Sequence, residues 1–334
     1  MNGAAVPENM RISVIVPVLN EEQSIRQLLE GLLSQSCPAY EIVITDGGSS
    51  DATPQIITQY AADHPQVRLL REARALPGRG RNLAVAQASG EWLAFIDAGV
   101  VPAHDWLARL VDCVTRDPNT DVVFGAWEPV TDTFFKECAA IAYAYVPNRE
   151  NIEEVRRSRA LFSSLMRRCV WHDVGGFAEH LRSAEDLLFI SKIDQKAFQV
   201  RYSPAALVRW TMQPTFSLTF ARFVVYSRNN LSAGLGKEWQ TVILSRYVAL
   251  VLIATGLLLV TRWWAIMTLA LLSLMYVARA LVALARNRHT YPAGAGRNLK
   301  RLLVLVPLLI TIDVATMAGM FAWLFREKLH LLRC

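Results

Sequence analysis

The chain is poor in cysteine: five in 334 residues, namely Cys37, Cys113, Cys138, Cys169 and Cys334. They are scattered and show no metal-like spacing, which argues against a zinc ribbon or a disulfide framework. They read as reduced thiols, with Cys113 and Cys169 most simply core residues. An export signal is not expected, because Met1 to Asn9 is polar and the apolar run Ile12 to Val16 is too short for one. Long apolar runs are missing from the first 241 residues. Acids are scarce in the rest: residues 242–334 hold 11 Lys/Arg against 2 Asp/Glu, which leaves 24 against 27 for residues 1–241. The net charge of +6 thus comes entirely from the C-terminal part. That division argues for lipid headgroups and against nucleic acid as a partner.

What is present begins with short apolar runs. Ile12 to Pro17 reads as a buried strand. A helix follows with Ile25, Leu28, Leu29, Leu32 and Leu33 at helical spacing, Asn20 as its expected N-cap and Gln23 three residues on. Glu41 to Thr45 is a second strand, and Gly47-Gly48-Ser49-Ser50-Asp51 a turn before a helix opening near Pro54. Val67 to Leu70 is a third strand. Pro77-Gly78-Arg79-Gly80 reads as a basic flexible loop before a helix from Arg81 to Ala88, and Trp92 to Ile96 as a fourth strand. Strands alternating with helices of this length predict an α/β domain with a mainly parallel sheet.

Val122 to Gly125 adds a strand, residues 134–159 read as mixed and helical, and 177–193 as a helix carrying Glu185 and Asp186. Val200 to Trp210 is strand-like. Thr215 to Ser232 is amphipathic, either an interfacial helix or one packed on the domain. Three apolar spans follow, at about 243–261, 263–285 and 302–325, each near the ~20 residues needed to cross a bilayer. Arg286 to Arg301 is basic and free of acid, which predicts a cytoplasmic loop and a cytoplasmic N-terminal domain. The short tail with Arg326, Lys328 and Arg333 disagrees mildly with that placement. Arg279 and Asp313 fall inside spans two and three, where they either pair or snorkel and find separate neighbours.

Asp46 and Asp97 each end an apolar run, and Glu185-Asp186 supply acids from later in the chain. Ligands bind at the carboxyl ends of parallel strands. Asp46 either caps the Gly-Gly-Ser-Ser turn or meets a ligand; Asp51 is more simply a helix cap.

Ser13-Val14-Ile15-Val16-Pro17-Val18-Leu19-Asn20-Glu21-Glu22 resembles the opening of family 2 glycosyltransferases. Thr45-Asp46-Gly47-Gly48-Ser49-Ser50-Asp51, then Gly78-Arg79-Gly80-Arg81-Asn82-Leu83 with Phe95-Ile96-Asp97-Ala98-Gly99, resemble the next motifs. Gly175-Gly176-Phe177 and Ser183-Ala184-Glu185-Asp186 resemble the acceptor-side motifs. The resemblance covers roughly residues 11–240. It implies a GT-A, Rossmann-like α/β domain over 11–214, after a tail at 1–10. An amphipathic interface segment at 215–241 and a transmembrane region at 242–334 complete the expected order.

By the same resemblance Pro17 and Glu21 line the nucleoside pocket and Asp46 meets the base. Arg81 sits near the nucleotide, and Asp97 holds ribose or a cation, Mg²⁺ or Mn²⁺. Asp186 is the base of an inverting transfer, with Glu185 orienting it. Gly176 and Trp210 lie on the acceptor or phosphate side. The donor implied is a nucleotide sugar, UDP-linked before GDP-linked. The spans favour a lipid or lipid-linked acceptor at the inner (plasma) membrane. Gly99 stands where a second acid is usual and Leu19 where an aromatic is, so metal dependence is an open expectation. His104 and His172 have no ligand spacing. A processive synthase is disfavoured, because Leu207-Val208-Arg209-Trp210 keeps only Arg-Trp of the Gln-x-x-Arg-Trp pattern. A non-catalytic nucleotide-sugar-binding subunit is the alternative from another class.

Overall fold

A computed structural model describes residues 10–144, 151–236 and 239–325. The N-terminal tail up to residue 9, the basic tail with Arg326, Lys328 and Arg333, and Cys334 lie outside the described residues. The chain divides into two compact units, Met1–Pro129 with Val146–Thr211, and Val130–Tyr145 with Met212–Cys334.

Elements run in the order β1 (Ile12–Val18), α1 (Ile25–Leu33), β2 (Glu41–Asp46), α2 (Thr53–Asp63), β3 (Val67–Arg71), α3 (Pro77–Gln87) and β4 (Trp92–Phe95). Next come β5 (Val100–Pro102), α4 (Trp106–Arg116), β6 (Val122–Val130), α5 (Phe134–Tyr143), α6 (Ile152–Arg157), β7 (Ser164–Arg167) and α7 (Arg168–Asp173). The last are α8 (Glu185–Asp194), β8 (Val200–Thr211), α9 (Phe216–Ser232), α10 (Trp239–Val260), α11 (Trp264–Arg286) and α12 (Ala295–Trp323).

The first unit is built on one eight-stranded sheet in the order β3-β2-β1-β4-β7-β6-β8-β5. Apolar residues on both faces of β1, β2 and β4 make these central strands fully covered, as parallel strands require. β3, β2, β1 and β4 pair in parallel, while β4–β7, β6–β7 and β5–β8 pair antiparallel. The sheet is therefore mixed, less parallel than the strand–helix alternation predicted. The short strands β5 and β7 were not expected at all; three or four residues carry too little periodicity to signal. The core joins Ile15, Phe95, Phe124, Phe177 and Phe189, with Phe177 stacked on Phe189 at 4.0 Å.

Glu41 anchors the floor of this sheet. Its carboxylate accepts from Ser13 Oγ at 2.8 Å, Ser89 N at 2.6 Å and Arg68 Nη1 at 2.8 Å. Burial by itself would raise this carboxyl, but the converging donors outweigh it and hold the group at about 2. Gly90 has no room for a side chain there, since a Cβ would stand 2.5 Å from Ser13 Oγ.

The second unit is helical. Gln240–Val260, Trp264–Arg286 and Ala295–Trp323 are each long and apolar enough to cross a membrane. α12 begins before the expected span and takes up Arg297, Lys300 and Arg301, so the basic connector is shorter than the sequence suggested. Arg279 pairs with both oxygens of the fully buried Asp313, Nη2 to Oδ1 at 3.0 Å, and Tyr276 donates to Oδ2 at 3.1 Å. Tyr247 on α10 bonds the Tyr276 hydroxyl, so three helices share one polar junction. α9 turns polar Thr219, Ser227, Asn229 and Asn230 inward and leaves Phe216, Leu218 and Phe220 exposed. It crosses α12 closely at Gly319, where a Cβ would meet Val224 O at 2.5 Å. Glu137 on α5 is paired with Arg297 and Arg301 of α12.

Candidate active site

Pro17 and Asp46 lie at the carboxyl ends of neighbouring parallel strands, in the registers Pro17↔Thr45 and Val18↔Asp46. Asp97 follows β4, which flanks β1 on its other side. Topology thus brings Pro17, Asp46 and Asp97 to one edge of the sheet, where open α/β folds bind ligands. Asp46 is buried and its Oδ1 accepts from Ser49 N at 3.0 Å, so it does cap the glycine-rich turn. That bond also shapes the loop that follows it. Asp51 likewise accepts from Thr53 N at 3.0 Å at the mouth of α2.

Asn20 is not the N-cap of α1, which starts at Ile25 behind Ser24. It takes a left-handed φ of 55° and its Oδ1 accepts from Ser50 N at 2.9 Å, clasping the loop after β2. Long-range pairing with that loop outcompeted local capping. Glu21 accepts from Ser24 Oγ, and its Oε2 lies 3.8 Å from where a Cβ on Gly99 would stand. Glu21 therefore borders the position at which the usual second acid is missing.

The expected loop at Pro77-Gly78-Arg79-Gly80 is the first turn of α3 instead, with Pro77 at its start. The glycines there serve contact. A Cβ on Gly78 would stand 2.3 Å from Ala178 O, and one on Gly80 3.4 Å from Pro17 Cβ. This close docking delivers Arg81 into the interior, where its side chain is 3% exposed.

Arg81 joins the acids that sequence left apart. Nη2 donates to Asp97 Oδ1 and Nη1 to Glu185 Oε1, both at 2.6 Å, with the guanidinium 5.5 Å above the Phe177 ring. Glu185 and Asp186 open α8, where the helix N-terminus favours negative charge. The preceding residue, Ala184, is strained at φ 70°. Asp186 is half-buried, and its Oδ1 accepts from Leu187 N at 2.9 Å. Burial, then the charge of Glu185, raise its carboxyl to about 6, while Arg81 opposes the rise. Such a carboxyl is mostly ionised at neutral pH yet basic enough to take a proton.

Residues 13–169 match the model of the family described as glycosyl transferase family 2. The chain carries a family 2 glycosyltransferase domain. Glycosyltransferase AglE of Haloferax volcanii is 31% identical over 225 residues, covering 64% of this chain and 65% of that protein. The poly(ribitol-phosphate) β-N-acetylglucosaminyltransferase TarS of Staphylococcus aureus is 30% identical over 196 residues, 55% of this chain and 32% of that protein. The matched part thus spans less than two-thirds of either relative. Among solved structures, a mannosyltransferase from Pyrobaculum calidifontis, in complex with GDP-Man and Mn²⁺, superposes with a TM-score of 0.56. It is 21% identical and covers 95% of this chain and 88% of its own. That likeness supports the same GT-A-like fold.

Other expected residues are placed less directly. Trp210 is paired across the sheet with Val100, just beyond Gly99, and meets Trp127 edge-on at 5.6 Å. Gly176 takes φ 67°, and a Cβ there would press Asn82 Oδ1 at 2.9 Å, so its part is conformational. Cys169 is exposed, not a core residue, whereas Cys37 and Cys138 are buried. His172 is exposed, and among the described residues no three His, Cys, Asp or Glu side chains converge on a metal position. Asp97 with phosphate oxygens and water is a donor set that suits Mg²⁺ or Mn²⁺; a cage made by protein alone is not present among the described residues.

Sequence reading missed the parts played by Glu41, Glu179 and Asn82. Asn82 alone offered a signal, as the neighbour of Arg81 in a recognised motif. Glu41 and Glu179 act through partners distant in sequence.

Proposed function

We propose that the chain is an inverting glycosyltransferase that moves a sugar from a nucleotide-diphosphate sugar to a lipid or lipid-linked acceptor at the cytoplasmic face of a membrane. The observation that carries the reading is the set Asp97–Arg81–Glu185 with Asp186 beside it, at the carboxyl edge of the sheet. Asp186 takes the proton of the acceptor hydroxyl as its oxygen bonds the anomeric carbon. The anomeric C–O bond to the diphosphate breaks, and its electron pair leaves on the nucleoside diphosphate. Pro17, Glu21 and Asp46 hold the nucleoside. A divalent ion held by Asp97 and the diphosphate would neutralise the charge of the leaving group. Arg81, paired with two carboxylates, keeps the acids in place beside the nucleotide.

UDP- and GDP-linked donors are both supported, since TarS has been solved with UDP-GlcNAc and the Pyrobaculum enzyme with GDP-Man. The three long apolar helices favour a lipid acceptor, and the basic residues Arg286, Arg288, Arg297, Lys300 and Arg301 favour the cytoplasmic side. A screen of nucleotide-sugar turnover in detergent tests the reading, with Mg²⁺, Mn²⁺ or chelator and with lipid extract or soluble acceptors. Transfer to lipid that disappears in Asp186→Asn is the expected result. Activity on soluble acceptors alone overturns the lipid assignment; nucleotide binding without any turnover favours a binding subunit.

A further inference from the structure

We propose that Asn82 is the positioning residue of the Asp186 base, fixing the arm of residues 174–184 to helix α3; this rests on the transferase reading above. The arm links α7 to α8 and contains no helix or strand of its own. A loop of that length holds one geometry only if something outside it supplies the ties. Asn82 makes four bonds, three to the arm and one to Trp171 of α7, where the arm begins. Its Oδ1 accepts from Phe177 N at 2.9 Å and Trp171 Nε1 at 3.1 Å. Its Nδ2 donates to Phe177 O at 3.0 Å and Glu179 Oε1 at 2.9 Å. Both amide hydrogens and both acceptor places are then used, and the two N–H donors fix which end of the amide is oxygen. Gly176 makes room for this amide, as its φ of 67° and its close approach to Oδ1 require.

Further ties converge on the same face of α3. Arg79 Nη1 donates to Glu179 Oε2 at 3.1 Å, and Gly78 lies flat against Ala178 O. Arg81, the next residue after Gly80, holds Glu185 at the far end of the arm and Asp97 on the donor side. Phe177, pinned by Asn82 through its own N–H and C=O, stacks on Phe189 of α8. The donor-side carboxylate and the base are thus both referenced to one short rigid helix. Ala184, strained at φ 70°, is the last residue of the arm, directly before the acidic pair. Slack in the arm would let that residue relax and swing the first turn of α8. A misplacement of about 1 Å at a reacting group costs on the order of 100-fold in rate.

The test uses the full chain in detergent, with UDP and GDP as binding probes, donor turnover, and amide hydrogen exchange over residues 175–188. In Asn82→Ala, kcat is expected to fall about 100-fold while donor KM and nucleotide Kd stay within about 3-fold. Exchange over 175–188 is expected to quicken at least about 10-fold. Unchanged kcat, unchanged exchange, or a kcat loss matched by lost nucleotide binding overturns the proposal. Should Asn82→Ala fail to fold, Trp171→Phe removes one of the four bonds. It is expected to give the same split at about 3- to 10-fold, and no change in kcat overturns the proposal. If the wild-type chain turns over no donor, the transferase reading fails by itself. The exchange measurement then still decides the tie: faster exchange sustains it and unchanged exchange overturns it.

Discussion

Arg81 and Glu185 stand 104 positions apart and are joined by a 2.6 Å hydrogen bond inside the α/β unit. The same guanidinium holds Asp97, so one cation organises the acids at both ends of the site. Its removal leaves two partly or fully buried carboxylates without a counter-charge. Arg81→Met is expected to lose about 3 kcal/mol of stability and more than 100-fold in transfer. Arg81→Lys keeps the charge but not the fork, and is expected to retain folding with a 10- to 100-fold lower kcat. Thermal unfolding and donor turnover in detergent check the pair.

Asp186 carries a carboxyl raised from 3.8 to about 6 by burial and by Glu185. As a base it works only when ionised, so kcat is expected to rise tenfold per pH unit below about 6 and to level off above it. The folded state prefers the protonated form, so ionisation costs stability as pH climbs through that range and the cost persists above it. Asp186→Asn is therefore expected to abolish transfer and to stabilise the fold at pH 8 by about 1–2 kcal/mol, discounted for its solvent-facing edge. Little difference is expected at pH 4. A destabilised Asn variant at pH 8 contradicts the assignment.

Glu41 predicts the opposite sign. Its carboxyl is depressed from 4.5 to about 2 by Ser89, Ser13 and Arg68 donors that outweigh burial. The stability it contributes is present above about 4.5 and lost as pH falls towards 2. Glu41→Gln is expected to cost roughly 2–3 kcal/mol at pH 7 and almost nothing at pH 2. Unfolding midpoints across that range measure it.

Asp313 and Arg279 predict a non-additive pair in the helical unit. Either Asp313→Asn or Arg279→Gln strands a charge in an apolar setting, at a cost of about 3 kcal/mol. The double variant is expected to recover at least about 1 kcal/mol of the summed loss, because both charges leave together. Strict additivity in a double-mutant cycle would falsify the coupling.

Much of this was legible from local pattern. The strand ending in Asp46, the strand just before Asp97 and the three long apolar helices were placed by periodicity, run length and motif order, whereas the helix expected over 177–193 begins only at Glu185. The misreadings share a cause. Pro77-Gly78-Arg79-Gly80 looked like a flexible loop, because glycine usually signals freedom. Here Gly78 and Gly80 are small so that α3 can dock against Ala178 and Pro17. Asn20 looked like a cap because capping is local, whereas its partner Ser50 lies thirty residues on.

The sequence by itself determined where apolar segments run, how long they are, and which chemical groups close them, since those properties depend on neighbours along the chain. Only the tertiary structure decided that Arg81 takes Asp97 and Glu185 as partners, that Asn82 ties down the arm, and that Asp186 becomes a stronger base than a free carboxylate. Each of these depends on desolvation and on charges brought together from distant positions, and those act only once the chain has folded.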